Sequence, residues 1–385
     1  MRKIFITTGG TGGHIIPARC LAAELAKENI AAFLLADTKY RGYIKAEDSF
    51  KSIIISSSQL VKSPLPMIIA AYKISLGFVQ SLYYFLRHRP QYVVAFGGYA
   101  TFPILLVACI TKTKIILHEQ NAHLGKVNRL FASRAYKIAL TFSETSGIKN
   151  EDATKLVVTG NPVRDEILQL HDKEYKMPAK LELPKRDKMG YDVILASELT
   201  DYENQPQNET FNILIIGGSG GAKIFSDVLP KAFFNLGEEV KNGLHISQQC
   251  RRDLVGYTFD QYKMFNINIS VAAFFDDMPS KIEAAHLIIA RSGSSSIAEF
   301  CAAKKPMILI PFAKAADDHQ MKNAQIVEKS GAATILAEKD FTINKMSEVI
   351  KSLIGNKNLL LKMSENAGKI ANLDATKNLV KLINT

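Results

Sequence analysis

The chain has 385 residues, 47% of them hydrophobic and 22% charged, with 23 glycines and 13 prolines. That length exceeds what one core usually organises, so two domains are expected, and the composition excludes collagen-like, wholly disordered and coiled-coil classes. The net charge of +11 points to anionic partners, whether phosphorylated substrates, an acidic membrane surface or nucleic acid.

From the N-terminus, Lys3–Thr8 reads as a strand and Ile15–Lys27 as a helix after a glycine turn. The run Ile4-Phe5-Ile6 is too short for a signal-peptide core. Cys20, Cys109, Cys250 and Cys301 are far apart, with no CxxC and no Cys/His cluster, which argues against disulfides or structural zinc and fits a reducing compartment. Strands follow at Ala31–Ala36 and Ser52–Ser56, then an apolar helix over Leu65–Leu86. Its longest charge-free part is about 13 residues, short of the ~20 a bilayer span needs. It ends in Arg87-His88-Arg89, so two readings stay open: a buried helix of an α/β domain, or a helix lying on an anionic membrane surface.

Tyr92–Phe96, Lys114–His118 and Lys137–Thr141 complete a first set of strands, with helices between them, the pattern of a parallel sheet covered on both faces. The segment 170–210 is rich in Lys, Glu, Asp, Asn and Pro and reads as a linker with an exposed insertion. The alternation restarts at Phe211–Ile216 and continues with strands at Leu244–Ser247, Ile267–Val271, His286–Ala290, Met307–Ile310 and Thr334–Leu336. Asn344–Ile383 is helical. The expected domains are 1–162, a linker over 163–210, 211–345, and C-terminal helices over 346–385 packing back toward the first domain.

Each half opens on a strand, a glycine turn and a helix: Gly9-Gly10-Thr11-Gly12-Gly13 and Gly217-Gly218-Ser219-Gly220-Gly221. Such turns bring backbone N–H groups to a phosphate at a helix N-terminus. Neither is a dinucleotide fingerprint, because Ile15 and Lys223 stand where the last Gly belongs, and neither is a Walker A loop. Asp37, where an NAD ribose ligand would sit, therefore carries little weight. Gly97-Gly98-Tyr99 adds a third such turn. His14 follows the first, at the sheet edge where ligands bind, and its chemistry suits proton transfer near neutrality. His118-Glu119-Gln120-Asn121, with Asn128-Arg129 after it, ends another strand in polar residues. Arg291-Ser292-Gly293-Ser294-Ser295-Ser296 suits a pyrophosphate, with Glu299 expected in the first turn of the following helix and suited to a ribose diol. Asp276/Asp277 and Asp317/Asp318 stand next to helix starts, so N-capping is expected there rather than metal binding.

These motifs together have a family resemblance. GGTGGHIIPA (9–18), GGYATFP (97–103), HEQNAHLGKVNR (118–129), GNPVR (160–164), GGSGGA (217–222), FFDDM (274–278), RSGSSSIAE (291–299) and DHQMKNA (318–324) occur in order over nearly the whole chain. The sequence resembles the MurG family of peptidoglycan N-acetylglucosaminyltransferases. The resemblance implies a GT-B fold, α/β, with two Rossmann-like doubly wound domains facing across a cleft. The implied reaction is inverting transfer of GlcNAc from UDP-GlcNAc to lipid I (undecaprenyl-pyrophosphoryl-MurNAc-pentapeptide), giving lipid II. The implied location is the cytoplasmic face of the bacterial inner membrane, peripherally bound.

Carried over residue by residue, the donor site comprises Thr11, Gly12, Gly13, Asn121, Arg164, Ser219, Phe275, Ser295, Ser296, Glu299 and Gln320. Phe275 offers backbone contacts to uracil, Glu299 holds the ribose, Ser295 and Ser296 lie at the pyrophosphate, and Gln320 and Asn121 approach the GlcNAc hydroxyls. Gly10, Gly97, Gly98, Tyr99, His118 and Asn128 are expected at the acceptor and its pyrophosphate. The base is His14 or, alternatively, Glu119. Arg291, helix N-termini and backbone N–H groups are expected to stabilise the leaving UDP, with no protein-bound metal and no cofactor. The expected partners are UDP-GlcNAc, lipid I, an anionic membrane surface and cell-wall synthesis or division proteins. Gly220, Ser226 and His319 depart from the family's usual residues. Another GT-B nucleotide-sugar transferase or a UDP-GlcNAc epimerase is the rival reading. Nucleic-acid binding would explain the charge, but no recognised module accompanies it.

Overall fold

The computed structural model describes residues 2–10, 12–59, 63–178, 210–218 and 221–384. They form two compact units, Met1–Asp165 with Ser294–Ala298 and Asn372–Thr385, and Glu166–Gly293 with Glu299–Ala371. Of the expected linker and insertion, 179–209 lies outside the described residues.

The first unit follows the order β1 (Lys3–Thr8), α1 (Gly12–Lys27), β2 (Ala31–Ala36), β3 (Lys51–Ile54), α2 (Pro64–His88), β4 (Tyr92–Ala95), α3 (Phe102–Ile110), β5 (Lys114–Glu119), α4 (Lys126–Phe131), β6 (Lys137–Leu140) and β7 (Leu156–Val158). Its seven strands lie in the order β3-β2-β1-β4-β5-β6-β7, all parallel, with Ile6 in register with Leu34 on one side and Val94 on the other. Because both faces are covered, strands such as β1 and β4 are near-continuous apolar runs rather than alternating ones. One face packs Ile4, Ile6, Leu21 and Leu25, the other Phe5, Val93, Leu105 and Leu117. The edge strand β7 is absent from the sequence reading: it has three residues and Val158 is exposed, so the apolar signal is short.

After α5 (Asp165–Leu168), the second unit runs β8 (Phe211–Ile216), α6 (Lys223–Phe234), α7 (Glu238–Asn242), β9 (Leu244–Gln249), α8 (Val255–Met264), β10 (Ile269–Ala272), α9 (Met278–Ala284), β11 (Leu287–Ala290), α10 (Ser294–Ala302), β12 (Met307–Leu309), α11 (His319–Lys329) and β13 (Ala333–Ile335). Its six parallel strands lie in the order β10-β9-β8-β11-β12-β13. In both sheets the strand order reverses beside the first strand, between β1 and β4 and between β8 and β11. In open α/β sheets such reversal points are where ligands bind, outside the carboxyl ends of the strands.

The C-terminal segment divides differently from the expected 346–385 unit. In α12 (Ile343–Ile354) and α13 (Lys357–Ile370), Met346, Ile350, Leu360 and Met363 pack in the second unit's core. Only 372–385 groups with the first unit. There α14 (Ala375–Asn384) buries Leu379, Val380, Leu382 and Ile383 in the core that holds Leu21 and Leu25 of α1.

The apolar helix α2 is a surface helix anchored by one face. Gly77 lies so close to Ser56 that a Cβ would stand 1.9 Å from its carbonyl oxygen, and Ser56 N–H donates to Gln80 Oε1 at 2.8 Å. Ala70, Ser81 and Phe85 are buried on this face. On the other, Leu65, Ile68, Tyr72, Val79, Tyr83 and Leu86 are 58–68% exposed and recur at helical spacing. By length and composition Leu65–His88 would suffice to cross a membrane, so the full helix exceeds what its charge-free part suggested.

Candidate functional site

The glycine loops of the first unit sit at its strand-order reversal, after β1 and β4. Gly97 and Gly98 take positive φ angles of 80° and 86°, and a Cβ on Gly98 would stand 2.7 Å from the Gly9 Cα, so the two loops touch backbone to backbone. Helix α1 begins at Gly12, earlier than expected, which puts Gly12, Gly13 and His14 in its first turn at the positive end of the helix dipole. His14 is half-buried there and lies near enough to His118 to disfavour that residue's protonation.

The end of β5 is locked onto its own chain. His118 is fully buried. Its Nε2–H donates to the Gly160 carbonyl at 2.9 Å and its Nδ1 accepts from Gln120 Nε2 at 2.9 Å. Burial pushes its pKa down to about 4, so it is neutral. Glu119 is buried too. One carboxylate oxygen accepts from Asn121 N at 3.0 Å and Asn121 Nδ2 at 3.1 Å, the other from Gly125 N at 2.8 Å and Asn128 Nδ2 at 2.9 Å. Burial raises its pKa, opposed by these donors. Four hydrogen bonds occupy both oxygens, which speaks against Glu119 as proton acceptor and makes it the hub of the 119–128 loop. The side chains of His118 and Asn128, both expected at the acceptor, likewise bond to the chain's own loops. Asn128 Nδ2 also donates to the His118 carbonyl at 3.2 Å, although its Oδ1 is buried with no hydrogen-bond partner among the described residues.

Tyr99, also expected at the acceptor, directs its hydroxyl to Asp37 Oδ2 at 2.8 Å. Burial and that bond push its pKa up to about 12. Asp37 is buried and caps the turn Thr38–Tyr43 through Lys39 N–H at 3.1 Å. Within the first unit, too, Ser295 at the start of α10 donates to the Gly13 carbonyl at 2.6 Å and accepts from Asn161 Nδ2 at 3.1 Å. Ser296 and Asn121 are half-buried beside these groups in sequence, as is Arg164 after the Gly160 turn.

The second unit places its own loops at the β8/β11 reversal. A Cβ on Gly217 would stand 2.6 Å from Ala222 N, and Gly221 (φ 58°) lies against Arg251. Arg291 is buried between the rings of Phe225 and Phe312 and donates to the Ile310 carbonyl at 3.1 Å, the Pro311 carbonyl at 3.3 Å and Glu338 Oε2 at 2.7 Å. Desolvation lowers its pKa despite Glu338. Arg291, expected to stabilise the leaving UDP, thus staples the loop after β12 through its Nη1. In that loop Gln320 Oε1 accepts from Phe312 N at 2.9 Å and the Gln320 carbonyl accepts from Ser292 Oγ at 2.8 Å, while His319 Nδ1 bonds the Ala316 carbonyl at 2.7 Å. Glu299 is buried in the second turn of α10, not the first, so it cannot be a helix-dipole residue. Phe275 is buried beneath Lys281. Asp277 and Asp318 occupy N-cap positions, but neither side chain makes the cap hydrogen bond that was expected. Thr11 and Ser219 lie outside the described residues. Among the described residues no three His, Cys, Asp or Glu side chains group as a metal-ligand set.

Two family models match the chain in order, the glycosyltransferase family 28 N-terminal domain over residues 4–140 and its C-terminal domain over 212–382. The UDP-N-acetylglucosamine--N-acetylmuramyl-(pentapeptide) pyrophosphoryl-undecaprenol N-acetylglucosamine transferase of Rhodospirillum centenum is 33% identical over 92% of this chain and 86% of its own length. The crystal structure of Acinetobacter baumannii MurG superposes with a TM-score of 0.72 at 26% identity, covering 100% of this chain and 99% of that one. The chain belongs to the MurG family. Its fold is GT-B. The UDP-GlcNAc 2-epimerase of Neisseria meningitidis, bound to UDP-GlcNAc, shares that fold at a TM-score of 0.65 and 15% identity, covering 100% of each chain.

Set against the MurG family motifs, the structure brings the glycine and serine loops to the two reversal points and shows that many of their side chains serve the loops themselves. In the sequence reading Asp37 carries little weight, Asn161 appears only within GNPVR and Glu338 is not mentioned. Asp37 and Asn161 each follow a strand at the same carboxyl edge as the glycine loops, which is the signal that marks them. Glu338 has no local signal, since its partner Arg291 is 47 positions away.

Proposed function

We infer that this protein is a hexosyltransferase that transfers GlcNAc from UDP-GlcNAc to the 4-hydroxyl of MurNAc in lipid I, with inversion, giving lipid II. The observation that carries it is the 33% identity to the Rhodospirillum centenum transferase across 92% of the chain. The deciding assay is UDP release from UDP-GlcNAc: it should require lipid I, and release without acceptor, or conversion to an epimeric sugar nucleotide, would overturn the reading.

Single-step inversion needs a base at the acceptor hydroxyl and charge stabilisation on the departing UDP. We propose His14 as the base. Its ring is half-buried in the first turn of α1, at the reversal point and at the positive end of the helix dipole. The N–H groups at the start of α1 and in the Gly97–Gly98 turn suit the acceptor pyrophosphate. Donor binding is assigned to the second unit's loops after β8, β11 and β12, with Glu299 on the ribose and Gln320 on the sugar. Helix N-termini and backbone N–H groups supply the electrostatics, so turnover should persist in EDTA.

We also propose that the exposed stripe of α2, with Arg87 and Arg89 at its end, holds the enzyme on the inner face of the cell membrane. The opposite face of the helix is fixed to the unit's own core, which suits lying on a bilayer rather than crossing one. Binding to anionic vesicles should fall when Arg87 and Arg89 are replaced by Glu, while activity on a short-chain soluble acceptor persists.

A further inference from the structure

The turn that follows β2 carries a feature that the reaction outlined above does not use. Asp37 is buried at the carboxyl end of β2, and its two oxygens reach in different directions. Oδ1 accepts from Lys39 N–H at 3.1 Å, holding the turn Thr38–Tyr43. Oδ2 accepts from the Tyr99 hydroxyl at 2.8 Å, holding the second glycine loop across 62 positions of sequence. Both oxygens also lie close to the first glycine loop: a Cβ on Gly10 would stand 3.0 Å from each, and 2.8 Å from Lys39 Cδ. The Lys39 ammonium lies 5.8 Å from the centre of the Tyr99 ring. The neighbouring Gly12 is backed by the Tyr43 hydroxyl, 3.3 Å from where its Cβ would be. One carboxylate thus lies close behind the first loop at Gly10, with no room for a side chain between them, and bonds the side chain of the second loop and the turn that supports both.

We propose that Asp37 is a positioning residue for acceptor recognition, setting the separation of the Gly9–Gly13 and Gly97–Tyr99 loops through the Tyr99 hydroxyl. This rests on the lipid I reading of the first unit. A pyrophosphate held by backbone N–H groups from two loops is sensitive to their spacing, since hydrogen bonds weaken steeply with displacement and angle. Asp37 itself does not touch the acceptor in this scheme, and its effect is confined to the unit that binds it.

The test is a double-mutant cycle on the full chain with Asp37→Asn, Tyr99→Phe and the pair, assayed with UDP-GlcNAc and a soluble short-chain lipid I analogue. Each single variant should raise the acceptor KM about tenfold, equivalent to about 1.4 kcal/mol, with the donor KM within about twofold of wild type. The double variant should be no worse than the poorer single one. Additive losses, an unchanged acceptor KM, or donor and acceptor KM rising together would overturn the proposal. Should Asp37→Asn fail to fold, Tyr99→Phe removes one oxygen only and the same KM split decides. Wild-type enzyme showing no acceptor-dependent UDP release would instead defeat the lipid I reading, and the role of Asp37 with it.

Discussion

The two units share a topology and a site location yet stabilise their loops with opposite charges. In the first, buried carboxylates gather donors: Glu119 collects four N–H bonds from Asn121, Gly125 and Asn128, and Asp37 collects Lys39 N–H and the Tyr99 hydroxyl. In the second, a buried guanidinium gathers acceptors: Arg291 takes the Ile310 and Pro311 carbonyls and Glu338. A loop without regular structure must satisfy its backbone groups somewhere, and an ion with several hydrogen-bonding sites does so from one point. Charged residues at the edge of a sheet are therefore not by themselves ligands. They become candidates only once the chain's own demands on them are known.

The largest effect is expected at His14, the proposed base in the first turn of α1. His14→Ala should lower kcat roughly 10²-fold or more and leave the donor KM nearly unchanged, and the acidic limb of the pH–kcat profile should vanish. A variant with near-wild-type kcat and the same limb would place the base elsewhere.

Acid should separate the units next. Burial holds His118 in the first unit, and His245 and His286 in the second, down at about 4, against 6.5 for an exposed imidazole. The unfolded chain therefore binds more protons between these values. The contribution of each histidine is fully present above about pH 6.5 and is lost as pH falls through 4, on the order of 1–3 kcal/mol per residue. The first unit also holds His88, lowered by burial but only half-buried, so the two deeply desolvated histidines of the second unit should make it unfold first on acidification, seen as loss of its amide protection in hydrogen exchange; simultaneous loss in both units would count against this.

The carboxylate hub comes third. Glu119→Gln keeps the shape but turns an NH2 donor toward N–H donors, so it should cost about 1–3 kcal/mol and raise the acceptor KM more than the donor KM. Denaturant melts and steady-state kinetics check both. The guanidinium hub should give the mirror image at smaller size. Arg291→Met leaves a partly exposed Glu338 that water can solvate, so about 1 kcal/mol is expected, with the donor KM rising and the acceptor KM steady.

The parallel α/β alternation, its restart near Phe211, and the glycine and serine loops that fall at the two reversal points are all legible along the chain. Those features are local: a short apolar run, a residue lacking Cβ, a helix pattern following it. Which polar side chains the chain claims for its own loops depends instead on residues that folding brings together. His118 is claimed by Gly160, Tyr99 by Asp37 and Arg291 by Glu338, partners 42, 62 and 47 positions away, which no motif spacing encodes. Folding likewise determines that α12 and α13 complete the second core while α14 completes the first, and that one face of α2 is anchored and the other bare. An apolar stripe in sequence states only that a face will be covered. What covers it depends on which surfaces the rest of the chain brings alongside, and burial of apolar area makes that choice without regard to order along the chain.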